Sequence, residues 1–107
     1  MIEKCIIDSL DEQIGKTNNP LLKTARNILN GLVGMDLNWH DFVDYGDELH
    51  FYMHKGTNVL ELFIYGDKVD VWYFCPFGDN QIREVKSWLF LPEQTDEIVR
   101  YIKEVVK

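Results

Sequence analysis

The sequence predicts an α+β fold: two N-terminal helices, a four-stranded antiparallel meander and a C-terminal helix, in the order α-α-β-β-β-β-α. Three observations carry this. Apolar residues recur at three- and four-residue spacing over the first third of the 107-residue chain. The period changes to two from residue 48 onward, and two short turns then impose one common inner face. Helical spacing returns after Pro92.

The first helix is expected over 2–14. Ile2, Cys5, Ile6, Leu10 and Ile14 share a stripe, while Lys4, Asp8, Asp11 and Glu12 fall elsewhere. Gly15 should end it, and residues 15–20 read as a turn. Asn19 suits an N-cap with Pro20 at the first helical position. Leu21, Ala25, Ile28, Leu29 and Leu32 then form a second stripe ending near Gly34, which completes a helical hairpin. Residues 35–47 read as a loop or a short irregular strand, because Trp39, Phe42, Val43 and Tyr45 alternate irregularly with acids.

Strands are expected over 48–55, 58–65 and 68–75. Gly66-Asp67 has glycine at the first central position, as a type II′ hairpin turn requires. It sets Ile64 opposite Val69, Leu62 opposite Val71 and Leu60 opposite Tyr73. A turn at Gly56-Thr57 sets Met53 opposite Leu60, Phe51 opposite Leu62 and Leu49 opposite Ile64. Both turns give one apolar face, and a one-residue slip would bury Glu61 and Asp70. Residues 75–80 read as a loop and 82–91 as the fourth strand. Pro92 breaks it, and 93–107 reads as the last helix. That helix has Ile98, Ile102, Val105 and Val106 on one face, and Glu93, Asp96 and Glu97 near its N-terminus, where the dipole favours acids. The length fits one domain covering residues 1–107, with helices on one side of the sheet.

The same pairing defines a second sheet face carrying Glu48, His50, Tyr52, His54, Val59, Glu61, Phe63, Tyr65, Asp70, Trp72 and Phe74. Aromatics concentrate at the energetic centres of protein interfaces, and carboxylates meet lysines and arginines. The competing expectation is a satellite core, with Trp72 and Phe74 lying under residues 35–47 or the C-terminal segment.

Eighteen acids against eleven bases give a net charge of −7. That disfavours nucleic acid and anionic membranes as partners, since both are held by neutralising phosphates. Five of the seven net charges come from Asp36, Asp41, Asp44, Asp47 and Glu48, within 13 residues that contain no lysine or arginine. Trp39, Phe42 and Tyr45 are interleaved with them. Acids steer a partner and buried aromatics hold it; a solvated loop is the plainer expectation. No signal-peptide core or membrane span is visible, so the cytoplasm is the expected compartment.

Catalytic and metal signatures are sparse. His50 and His54 on a strand lie about 13 Å apart, too far to share one metal ion. Cys5 and Cys75 form no CxxC pair and read as two buried free thiols. Ser9 and Ser87 lie in no nucleophile-elbow context, and there is no phosphate loop. The expectation is a non-enzyme without cofactor or metal.

In overall character (small, acidic, α+β, with an aromatic and carboxylate-rich surface) the chain resembles the immunity proteins of bacterial contact-dependent or polymorphic toxin systems. The resemblance rests on no single motif and carries no residue's role with it. It implies an inhibitor that occludes the basic active-site cleft of a cognate toxin, a nuclease domain, without nucleic acid, membrane or cofactor. The acids Asp36, Asp41, Asp44, Asp47 and Glu48 would steer, Trp39, Tyr52, Trp72 and Phe74 would anchor, and Glu61 and Asp70 would complete the surface. The alternatives are an adaptor or oligomerising domain that uses the aromatic sheet face, and an enzyme or small-ligand binder built around His50, Tyr52 and Glu61.

Overall fold

A computed structural model describes residues 1–76 and 82–106, with the side chains of residues 76 and 82–84 left aside. The chain runs α1 (Lys4–Thr17), α2 (Pro20–Gly31), β1 (Asn38–Asp44), β2 (Glu48–Lys55), β3 (Asn58–Tyr65), β4 (Val69–Pro76), β5 (Ile82–Phe90) and α3 (Thr95–Val105). The sheet is an antiparallel meander in the order β1-β2-β3-β4-β5. The architecture is therefore α+β, but with five strands rather than four. The extra strand is β1, within the segment expected to be a loop or a short irregular strand.

The reason is a bulge. Trp39 pairs with Met53 and Phe42 with Phe51, with a register shift between Trp39 and Asp41. One extra residue puts Trp39 and Phe42 on the same inner face although they are three apart, so the period of two disappears from the sequence. Phe51 receives both rings: Phe42 stacks on it at 4.7 Å and Trp39 meets it edge-on at 5.6 Å.

The registers of β2–β3 and β3–β4 are those the sequence predicts, pair by pair. Gly56 adopts φ +61°, the left-handed conformation its two-residue turn needs. The other turn keeps its register differently. Gly66 lacks the positive φ of a type II′ turn, and the Tyr65 N–H bonds the Lys68 carbonyl at 2.9 Å. The loop expected over 75–80 begins later than read, since Cys75 and Pro76 belong to β4; the rest of it lies outside the described residues, as does Lys107 of the last predicted helix.

The helices cover the inner face. Asn19 caps α2 as predicted, its side-chain oxygen accepting the Leu21 N–H at 3.0 Å, with Pro20 following. Helix α1 starts and ends later than the sequence suggests. It passes through Gly15 and stops at left-handed Asn18 (φ 54°), whose N–H reaches the Ile14 carbonyl. Ile2 precedes the helix and bonds through its backbone to Gly34 and Met35. Helix α3 packs on α2 at Gly31, where a Cβ would stand 2.6 Å from Val99 Cγ2. That distance is too short for any side chain, so glycine sets how closely the helices approach.

The core joins Leu22, Ile28, Leu29, Ile98 and Ile102 to the inward residues of β2, β3 and β4, from Leu49 to Cys75. Buried Tyr73 keeps its hydroxyl paired, accepting from Asn58 Nδ2 at 3.0 Å. Cys75 is buried as expected, but Cys5 is exposed, which corrects the expectation of two buried thiols. The stripe of α1 runs through Ile7 and Leu10 and leaves Cys5 outside. Among the described residues, no helix is long and apolar enough to cross a membrane.

Candidate functional site

The outer sheet face is the candidate site. Alternation places Asp41 and Val43 of β1, Glu48, His50, Tyr52 and His54 of β2, Val59, Glu61, Phe63 and Tyr65 of β3, and Asp70, Trp72 and Phe74 of β4 on one side. These positions are half-buried or exposed, whereas the residues alternating with them from Leu49 to Met53, Leu60 to Ile64 and Val69 to Cys75 are buried on the helix side. The cross-strand pairs Tyr52–Glu61, Glu61–Trp72, His50–Phe63 and Phe63–Asp70 form as the sequence predicts. Residues 35–47, one of the two segments expected to cover Trp72 and Phe74 as a satellite core, instead extend the sheet edge as β1. The Trp72 and Phe74 rings stack on each other, 5.9 Å apart and 8° from parallel.

Two groups of rings frame the carboxylates. Around His50, Phe63 lies at 4.6 Å, Tyr45 at 4.9 Å and Tyr52 at 6.4 Å between ring centroids. Tyr52 Oη is 3.4 Å from His50 Nδ1. With the hydroxyl donating there, Nε2 carries the ring proton. It faces Glu48 Oε1 at 3.7 Å, beyond hydrogen-bond reach, and this buried nitrogen has no hydrogen-bond partner among the described residues. On the other side stand Trp72 and Phe74. Glu61, on the central strand, lies between the groups with Tyr52 and Trp72 as its direct neighbours, and among the described residues neither a hydrogen bond nor an ion pair engages its carboxylate.

Burial raises the Glu61 pKa above the ordinary carboxylate value, opposed in part by His50. Tyr52 is raised by burial first, then by Glu61, Tyr45 and Asp41. Tyr65 is raised by burial, then by Glu48 and Asp70. The common cause is a partly desolvated face of negative sign. No lysine or arginine occupies any of its described positions. Lys68, in the β3–β4 turn, sits at its margin, 5.0 Å from the Tyr65 ring.

A testable consequence concerns Glu61. Its folded pKa is raised, so the native state binds more protons than the unfolded state between the ordinary carboxylate pKa and the raised value. Stability therefore falls as pH rises through that window. Glu61→Gln is expected to raise Tm modestly at neutral pH, with the gain vanishing below the ordinary carboxylate pKa. Thermal melts across that range check it; a lower Tm at neutral pH would contradict it.

The acidic segment does not form one surface. Asp41 joins the open face, exposed, with its own carboxylate accepting the Phe42 N–H at 2.8 Å. Asp44 pins the β1–β2 turn by accepting the Gly46 N–H at 2.7 Å. Asp47 is exposed beside it, while Asp36 lies before β1 at the opposite end of the strand, about 20 Å away along an extended seven-residue strand. Trp39 does not share the face of Tyr52 and Trp72. It points inward against Phe51, because the bulge assigns it to the helix side.

Tyr45, His50 and Phe63 belong to the site beyond the partner-binding residues named from sequence. His50 and Phe63 were already readable on this face from the pairing; Tyr45 becomes so only once β1 pairs with β2. Among the described residues, no three His, Cys, Asp or Glu side chains converge to hold a metal ion. Comparison of the chain with protein-family models, curated proteins and solved structures yields no match.

Proposed function

We propose that this chain is a small inhibitory binding protein of the immunity type. It seats a basic protein partner, a toxin nuclease domain, on the open sheet face and occludes that partner's nucleic-acid-facing cleft. One observation carries this reading. The side of the five-stranded sheet that no described element covers presents Asp41, Glu48, Glu61 and Asp70 among aromatic rings, with no lysine or arginine at its described positions.

Lysines and arginines that hold phosphates in a nuclease cleft fit such a surface. Glu61, half-buried and without a hydrogen bond or ion pair among the described residues, gains most when a cation reaches it, because its charge is already partly stripped of water. Tyr52, Trp72 and Phe74 supply flat rings for arginine stacking and slow dissociation. Asp36, Asp44 and Asp47, at the sheet ends, add to the field that steers encounter. The action is stoichiometric binding in the cytoplasm, with no catalytic step and no cofactor.

The test begins with the genes on either side of this one. A neighbour encoding a toxin nuclease domain is expected to arrest growth when expressed alone and to be tolerated when this chain is co-expressed. Association of the two purified proteins should be fast at low salt and slow markedly at high salt. Association that salt leaves unchanged, or neighbours confined to metabolic enzymes, would overturn the reading.

A further inference from the structure

The far edge of the sheet carries a feature outside the site above. β5 pairs with β4 on one side and with no described strand on the other. Every second residue of such an edge directs its N–H and C=O away from the sheet, ready to pair. Along β5 and one residue past it, Val85 (44%), Trp88 (63%), Leu89 (57%) and Leu91 (53%) are exposed, four of the seven large hydrophobic residues that are exposed among those described. Trp88 stands opposite Val71 on the helix side of the sheet, and Leu89 opposite Asp70 on the open side. The apolar surface therefore wraps around the edge instead of continuing one face. Residues 87–91, Ser-Trp-Leu-Phe-Leu, contain no charged side chain.

The opposite edge is built differently. β1 carries a bulge between Trp39 and Asp41, the exposed acids Asp41 and Asp44, and exposed His40. Bulges and charges are the devices that keep an edge strand from pairing. Residues 87–91 have neither.

We propose that two copies of this chain associate through β5, antiparallel about a two-fold axis crossing residues 87–91, joining two five-stranded sheets into one. Charge favours this occupant and this edge. Two copies that each carry −7 meet most readily where the local charge is zero; pairing through β1 would set Asp41 and Asp44 against their own copies. An antiparallel strand pair is self-complementary about a two-fold, so the same apolar segment covers itself on both sides. Association closes at two, because both outer edges of the joined sheet are the bulged, acidic β1. The basic partner proposed for the open face gains no charge pairing from this strip, so the two surfaces take different occupants.

The test is sedimentation velocity of the full chain at about 100 µM, well above a micromolar dissociation constant. We expect twice the mass of one chain, and a dimer that high salt preserves or strengthens, since salt screens the repulsion between two acidic copies. Trp88→Lys with Leu89→Lys should sediment as a single chain while keeping the circular dichroism spectrum of the parent. On the unmodified chain, amide exchange over 87–91 should slow as concentration rises, a readout that does not depend on a variant folding. A single-chain mass for the unmodified protein would overturn the proposal and assign the strip to an extended segment of a different protein. A dimer that survives the double substitution would overturn it equally.

Discussion

Replacing Asp41, Glu61 and Asp70 together by lysine is expected to abolish partner binding and leave the fold intact. The three side chains lie on β1, β3 and β4 of the open face, and none is part of the core. Asp41 is exposed, and its one hydrogen bond is to the neighbouring backbone N–H, so lysine there disturbs little. Glu61 and Asp70 are half-buried, but a lysine stem can lie along the flanking rings and hold its ammonium in water. A close charge pair across an interface couples by about 1.5 kcal/mol or more, roughly tenfold in Kd, so three reversals weaken binding by about a thousandfold at least. Reversing Asp36 and Asp47 instead should lower the association rate only, because these acids stand at opposite ends of β1, outside the ring-framed patch. Kinetic binding measurements on both variants distinguish the patch from the acidic segment. If the Asp36/Asp47 variant loses binding while the other retains it, the site lies on the segment and not on the sheet.

Phe51→Ala is expected to cost about 3–5 kcal/mol, the usual range for deleting a buried phenylalanine. Phe51 is fully buried and is the residue on which β1 rests, through the stacked Phe42 and the edge-on Trp39. Against a total of about 5–15 kcal/mol for a domain, that loss is a large share of the stability. It also falls unevenly. Among the described strands β1 pairs with β2 alone, so its pairing should loosen before the rest of the sheet. Urea unfolding should show a lower midpoint, and Trp39 fluorescence should shift to the red ahead of the global transition. The control is Phe63→Ala on the open face, where the half-buried ring should cost clearly less. A cost below about 1 kcal/mol at Phe51 would mean that the three rings do not form a packed unit.

Most of the sheet is legible in the sequence because parity is overdetermined there. The segment around Gly56 sets Leu49, Phe51 and Met53 on one face with Leu60, Leu62 and Ile64, the segment around Gly66 sets those last three with Val69, Val71 and Tyr73, and any slip would bury Glu61. That holds although Gly66 does not adopt the expected turn conformation: the hydrophobic pattern, more than the turn type, sets the register. β1 reads only as a loop or a short irregular strand for the opposite reason. Its bulge puts Trp39 and Phe42 three residues apart on one face, a spacing that matches neither strand nor straight alternation. The same bulge explains why Trp39 lies on the helix side, since a tryptophan among five acids reads as surface until the register shift turns it inward. Cys5 reads as buried because a stripe drawn from Ile2 counts residues that precede the first turn of α1. The apolar edge was hidden because Trp88, Leu89, Phe90 and Leu91 form an unbroken run. Such a run has no parity, and only pairing with β4 reveals which of these side chains remain uncovered.

The central claim is that the open sheet face, with Glu61 at its middle, receives a basic protein. Its most direct measurement is the affinity of the proposed basic partner, a nuclease toxin domain encoded by a neighbouring gene, for the parent chain and for Glu61→Lys, each at low and high salt. We expect the parent to bind tightly with strong salt dependence, and Glu61→Lys to bind at least tenfold more weakly. Equal affinity of the two proteins, or binding by the parent that is indifferent to salt, would contradict it.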